Sequence, residues 1–130
     1  MIRPFNMACL IFAFFLLGCD SRVLWTDGMH QVVEIDVPGN SELCYELGKG
    51  ACIGRIGSVF EIGSNQRFIV VKSCPDSECS YFYLEKSRDD GFIDKRDLIK
   101  GPYSAKEYES TKATLGLPQL IELKSISDKD

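Results

Sequence analysis

Six cysteines give this 130-residue chain its main capacity for chemistry. A cysteine thiol can close a disulfide, bind zinc as a thiolate or act as a redox nucleophile. Cys9 and Cys19 lie within, or just after, an apolar run near the N-terminus. The other four stand in the more polar body of the chain: Cys44, Cys52, Cys74 and Cys79. We expect different chemistry from the two groups because their surroundings differ.

The first eighteen residues have the layout of a secretory signal. Arg3 and the α-amino group give a positive start, and residues 7–17 are all apolar. This run of eleven residues is too short for a membrane-spanning helix, which needs about 20, but it suits the apolar region of a signal. No other run comes close to spanning length. We therefore predict that residues 1–18 are a signal peptide that is removed.

The residues that end this run, Leu16-Leu17-Gly18-Cys19, resemble a bacterial lipobox. The resemblance implies that the Cys19 sulfur receives a diacylglyceryl group, that cleavage follows, and that the new amine is acylated. Two or three acyl chains would hold the protein at the membrane, because each buried CH₂ contributes roughly 0.8 kcal/mol and one acyl chain anchors only weakly. We expect this lipid and no other cofactor. Asp20 resembles the inner-membrane retention signal of enteric bacteria, which favours the periplasmic face of that membrane and leaves the outer membrane open.

The four remaining cysteines are expected to form disulfides, since an even number outside the cytoplasm is typical of them. Three pairings are possible, and we favour Cys44–Cys52 and Cys74–Cys79 because each pair brackets a turn-rich segment. The gaps within these pairs hold seven and four residues. A Cys₄ zinc site uses a spacing of two to four residues, and a thioredoxin-like site uses Cys-x-x-Cys. Disulfides are therefore favoured over a metal centre or redox catalysis.

Other catalytic groups are scarce in the sequence. His30 is the only histidine, and we expect it to be a solvent-exposed loop residue. Asp89 and Asp90 are adjacent carboxylates, expected in a polar turn rather than in a glycosidase cleft. The glycines around Lys49 lack the spacing of a phosphate-binding loop. A sequence pI near 5.0 gives no basic stripe for nucleic acid. We therefore predict neither an enzyme nor a nucleic-acid binder.

The alternation of apolar residues predicts a small antiparallel sheet. Strands are expected at 31–37, 43–47, 59–62, 67–72, 81–84 and 120–123. Residues 20–30 are expected to be a tether, and residues 48–57 a loop held by Cys52. Ser104 and Glu107 predict a capping box that opens a helix over 105–115, with Ala105, Tyr108 and Leu115 on one face. Four aromatic side chains are expected to pack in the core or flank it: Tyr81, Phe82, Tyr83 and Phe92.

Residues 57–117, about half of the chain, resemble a family of small bacterial lipoproteins whose role is unassigned. The resemblance rests on four segments: Ile62-Gly63-Ser64-Asn65-Gln66-Arg67-Phe68-Ile69-Val70-Val71-Lys72, Tyr81-Phe82-Tyr83-Leu84, Gly101-Pro102-Tyr103-Ser104 and Leu115-Gly116-Leu117-Pro118. The region that holds Cys44 and Cys52 departs from the family pattern. The resemblance implies a lipoprotein and brings no catalytic residues with it.

Together these features predict a disulfide-stapled α+β domain, with a small antiparallel sheet of about five or six strands and one C-terminal helix packed on it. The expected divisions are a signal (1–18), a lipidated N-terminus and tether (19–30), one domain (31–124) and a polar tail (125–130). We expect a non-enzymatic binding or accessory lipoprotein that binds a protein partner. An immunity-type role is one possibility within this class. The alternative is a structural or envelope-maintenance subunit.

Overall fold

The computed structural model describes residues 21–123, which form nine strands, two helices and one 3₁₀ turn. The strands are β1 (Ser21–Asp27), β2 (His30–Ile35), β3 (Ser41–Gly48), β4 (Ala51–Gly57), β5 (Val59–Ser64), β6 (Phe68–Ser73), β7 (Ser80–Glu85), β8 (Lys100–Tyr103) and β9 (Ile121–Glu122). The helices are α1 (Lys95–Leu98) and α2 (Ala105–Leu115), and the 3₁₀ turn is Lys86–Arg88. The predicted signal, the lipobox residues 16–19 and the polar tail lie outside the described residues.

The strands form two antiparallel sheets rather than the single small sheet that was expected. The first sheet is a meander in the order β1-β2-β3-β4, and the second has the order β8-β7-β6-β5-β9. The chain passes from the first sheet to the second at Ser58, between β4 and β5. The predicted antiparallel pairing and main helix are confirmed, whereas the predicted strand number was too low.

Two segments that were expected to be irregular supply the extra strands. Residues 21–27, expected in a tether, form β1 and pair with β2 from Ser21–Ile35 to Asp27–His30. Residues 51–57, expected in a loop, form β4 and pair with β3 despite the glycines at 54 and 57. Both predictions were wrong because pairing with a neighbouring strand satisfies backbone groups whatever the local apolar pattern.

The two sheets pack face to face around an apolar core. The first sheet contributes Leu24, Val32, Leu43 and Ile56, and the second contributes Val59, Ile62, Ile69, Val71 and Leu84. Leu98 of α1 and Leu123 complete this cluster. In β2 both Val32 and Val33 are buried. Of the expected inward face of Val33, Ile35 and Val37, only Val33 is therefore buried, since Ile35 and Val37 are exposed. Asp36 has a φ of 66°, which ends the strand before Val37.

Helix α2 covers the opposite face of the second sheet. Ser104 and Glu107 form the predicted capping box, and the helix ends at Gly116 in the left-handed conformation. Tyr108 packs with Phe68, Val70 and Leu117, while Ala105 and Leu115 are exposed, contrary to expectation. The resulting order of layers is first sheet, second sheet, helix.

Candidate functional site

The most unusual feature of the described chain is a buried polar cluster between the first sheet and the connection from β7 to β8. It consists of His30 at the start of β2, Arg55 in β4 and Asp89 just after the 3₁₀ turn. The side chain of Asp89 is fully shielded from solvent, and those of Arg55 and His30 are nearly so. Buried charges are costly unless they are paired, so each member depends on the others.

A β-bulge brings Arg55 into this cluster. Leu43 pairs with Ile56 and Cys44 pairs with Gly54, which leaves Arg55 without a partner in the register. Bulges redirect side chains, and here the guanidinium reaches Asp89 and the carbonyl of Ile93 in the connection between β7 and β8. The prediction that His30 is exposed was wrong: it is 4% exposed, and its ring meets that of Tyr45 edge to face at 5.3 Å.

The Asp89 carboxylate is the acceptor at the centre of the cluster. Arg55 donates from Nη2 to Oδ1 at 2.6 Å and from Nε to Oδ2 at 3.1 Å. His30 Nε2 lies 2.8 Å from Oδ2, and the backbone N–H of Gly91 donates to Oδ1 at 3.0 Å. Burial alone raises the pKa of Asp89, but the hydrogen bonds from Arg55, Gly91 and His30 outweigh it and lower that pKa. The carboxylate is therefore ionised and fully engaged in contacts within the protein.

The same contacts fix the loop over residues 89–93. Arg55 Nη1 donates to the carbonyl of Ile93 at 3.1 Å, and Asp90 Oδ1 accepts from the N–H groups of Phe92 and Ile93 at 2.9 Å. Gly91 has a φ of 86°, and a Cβ there would also meet the Tyr45 ring at 2.9 Å. Backbone and side-chain contacts together hold this loop in one conformation.

The loop presents Phe92 to solvent. Its side chain is 82% exposed, so the prediction that all four aromatic residues lie in or beside the core does not hold for it. Tyr81, Phe82 and Tyr83 are partly buried, in agreement with that prediction. Two further exposed apolar side chains lie at this end of the sheets, on the β1–β2 turn (Met29) and at the end of β3 (Leu47). We call Met29, Leu47 and Phe92 the Phe92 surface.

A shallow recess of about 190 Å³ lies beside the cluster. Its lining includes Met29, His30, Tyr45 and Asp89. Cavities that enclose small-molecule ligands usually measure about 300–1,000 Å³. Since the Asp89 carboxylate is already engaged, the cluster is best described as a structural link between the first sheet and the connection after β7, and it positions the Phe92 loop.

The four cysteines that follow the predicted signal and lipobox pair as predicted. Cys44 and Cys52 are joined with their Cα atoms 5.7 Å apart, and Cys74 and Cys79 with theirs 4.2 Å apart. Within residues 21–123 no group of three or more His, Cys, Asp or Glu side chains is arranged to hold a metal. None of the helices in that range is long and apolar enough to cross a membrane.

Comparison of the chain with protein-family models, curated proteins and solved structures finds no match in any of the three. The lipobox and the resemblance to small lipoproteins therefore remain predictions from the sequence.

Proposed function

We propose that this protein is an exported bacterial lipoprotein, anchored through acyl lipid on Cys19, that acts by binding a protein partner. Within this class we propose an immunity-type role at the periplasmic face of the membrane, where it would capture a toxin. The proposal rests on two features, the lipobox at residues 16–19 and the Phe92 surface.

One observation carries the binding role: an 82% exposed phenylalanine stands on a loop that a buried ion cluster holds in place. Large aromatic side chains are frequent centres of protein interfaces because they bury much apolar area with few rotatable bonds. A loop that is already ordered loses little entropy when a partner binds. Exposure and rigidity together therefore favour a binding surface.

Two further features support export and capture. The two disulfides suit an oxidising compartment outside the cytoplasm. Removal of residues 1–18 takes away Arg3 and no acidic residue, so the net charge changes from −4 to −5. A negative protein attracts a basic partner over distances of about 10 Å at moderate salt.

Lipidation is tested by expressing the full chain in a bacterium with Cys19→Ser and, as a matched control, Cys9→Ser. We expect the first variant to stay unacylated and uncleaved, and the second to be processed normally because Cys9 is removed with the signal. Intact-protein mass spectrometry distinguishes these products. Acylation of the Cys19→Ser variant would refute the lipobox.

The binding role is tested with the product of any toxin gene that neighbours this one. Calorimetry should show tight binding to the lipid-free domain, and Phe92→Ala should weaken it by roughly 30-fold, as truncation of a central aromatic residue does. Phe60→Ala is the control, since Phe60 is exposed elsewhere on the molecule. Equal binding by both variants would exclude the Phe92 surface. Co-purification with a resident envelope complex through Phe92 would instead favour the envelope-maintenance role.

A further inference from the structure

The distance between the predicted anchor and the folded domain is very short. Cys19 and Ser21 are separated by one residue, and β1 begins at Ser21. Two extended Cα–Cα steps span at most about 7 Å. The polar layer on each side of a bilayer is roughly 5–8 Å thick. Acylation of Cys19 would therefore hold the start of β1 within, or directly above, the headgroups.

The register of the first sheet identifies what else lies at that end. Ser21 pairs with Ile35, so the β2–β3 turn over residues 36–40 extends past the start of β1. This turn carries Val37, which is 58% exposed, and Pro38. Pro38 also lines a recess together with Arg22 and Phe60, which places the exposed Phe60 ring at the same end.

The β2–β3 turn is rigid. The Val37 N–H donates to the Ile35 carbonyl at 2.7 Å, and Ile35 N–H donates to the Asn40 carbonyl at 3.0 Å. Glu34 accepts from Gly39 N–H at 3.1 Å and from Arg22 Nη2 at 3.2 Å, so its charge is paired. The carboxylate left at the tip is Asp36, which favours a zwitterionic lipid surface over an anionic one.

The broad outer face of the first sheet is less suited to lie flat on a membrane, since its exposed apolar side chains, Val23 and Ile35, lie at the Ser21 end. Because strand residues alternate between faces, Glu42 and Glu46 of β3 point away from the core residue Leu43. A flat orientation would bring these carboxylates against the headgroups. An upright orientation instead brings the exposed apolar side chains of the turn to the lipid.

We infer that the β2–β3 turn, with Val37 at its tip, rests in the headgroup region of the membrane and that the sheets stand upright on it. The inference depends on the proposed lipidation of Cys19. β1 rises by roughly 20 Å from Ser21 to Asp27. The Phe92 surface, at the other end of the sheets, then faces away from the membrane and is free to meet a partner.

The test uses tryptophan fluorescence of the acylated full-length protein in zwitterionic phosphatidylcholine vesicles. Trp25 is the only tryptophan, so Trp25→Phe gives a silent background into which Val37→Trp or the control Leu47→Trp is placed. Both positions are exposed, and they lie at opposite ends of β2 and β3. Brominated lipid should reduce the Val37→Trp emission about twofold and leave the Leu47→Trp emission nearly unchanged.

Hydrogen exchange of the unsubstituted protein gives a second measurement that does not depend on the Trp25→Phe background. Exchange over residues 36–40 should slow several-fold in the vesicle-bound acylated protein relative to the lipid-free domain, and exchange over residues 48–51 should not change.

Flotation and intact mass are measured first, because loss of acylation or of flotation would refute the anchor itself. An acylated, floating protein whose Val37→Trp emission is not quenched, or whose Leu47→Trp emission is quenched equally, would overturn the upright orientation and leave the anchor standing.

Discussion

The guanidinium of Arg55 holds the carboxylate of Asp89 through two hydrogen bonds, of 2.6 and 3.1 Å, and both side chains are shielded from solvent. Arg55 belongs to β4 of the first sheet, whereas Asp89 follows the 3₁₀ turn near the start of the connection that leaves β7 of the second sheet. A planar guanidinium that donates twice to one carboxylate fixes both distance and orientation. The pair therefore fixes the connection that follows β7 against the first sheet at this end of the molecule.

Loss of the Asp89 charge should destabilise the protein strongly. Asp89→Asn keeps the side-chain size but leaves the buried Arg55 cation without a counter-charge, and we expect the free energy of unfolding to fall by about 3–5 kcal/mol. Urea denaturation measures this change. Asp97→Asn, which alters an exposed carboxylate in α1, is the control and should change stability by less than about 0.5 kcal/mol. Equal stability of the two variants would show that the buried pair contributes nothing net.

The contribution of Asp89 should also depend on pH. Its pKa in the folded protein is lower than the ordinary value of 3.8, so its stabilising effect is present above that value and is lost as pH falls through the lowered pKa. The difference in unfolding free energy between the parent protein and Asp89→Asn should be present at about pH 5 and shrink below about pH 4.

Urea titrations at each pH measure this difference. Three other carboxylates with lowered pKa values occur in both proteins, are not coupled to Asp89 and cancel in the comparison: Asp27, Asp94 and Glu107. A difference that widens on acidification would contradict the ionised state of Asp89.

Gly63→Ala should detach the short strand β9. A Cβ at residue 63 would overlap the backbone carbonyl of Gln119, and backbone there cannot swing aside as a side chain could. We expect a loss of about 1–3 kcal/mol in the free energy of unfolding, together with faster amide exchange at Ile121 and Glu122. Gly57→Ala is the matched control, because a Cβ at this strand glycine meets nothing within 4 Å. Unchanged exchange at β9 in Gly63→Ala would refute the close approach.

Tyr108→Phe should leave the protein as stable as before, or more stable by up to about 1 kcal/mol. The Tyr108 hydroxyl is buried without a hydrogen-bond partner in the described part of the chain, while its ring stacks on Tyr81 with centroids 4.6 Å apart. The substitution removes the unsatisfied hydroxyl and keeps the ring. Thermal unfolding measures the effect, with Tyr108→Ala as the comparison at about 3–5 kcal/mol of loss. A clear loss of stability in Tyr108→Phe would show that the hydroxyl is hydrogen-bonded.

The elements predicted correctly from sequence are those whose signals are local. Helix α2 begins and ends where Ser104, Glu107 and Gly116 indicate, because capping is decided by residues within one turn. Both disulfides follow from the short separation of their cysteines in the sequence. These features can be predicted without knowing which distant segments of the chain contact each other.

The errors fall where the structure depends on pairing between distant segments. β1 has little apolar alternation and is ordered by its register with β2. Arg55 lies on a bulge that arises only when β3 and β4 align, and Asp89 is buried only because that bulge delivers a cation to it. His30 was expected in solvent because its burial likewise depends on contacts with residues that are distant in the sequence. A single sequence gives the period of a strand but not its partner, so the ion cluster could not be predicted.

The connectivity of the two disulfides separates them between the halves of the molecule. Cys44–Cys52 joins β3 to β4 within the first sheet, and Cys74–Cys79 closes the connection between β6 and β7 of the second. Each bond can form as soon as its own hairpin exists, without waiting for the C-terminal strand. Reduction would loosen each hairpin separately. The two sheets would still be held together by apolar packing and by the chain crossing at Ser58, and the Arg55–Asp89 pair would still hold the connection after β7 to the first sheet.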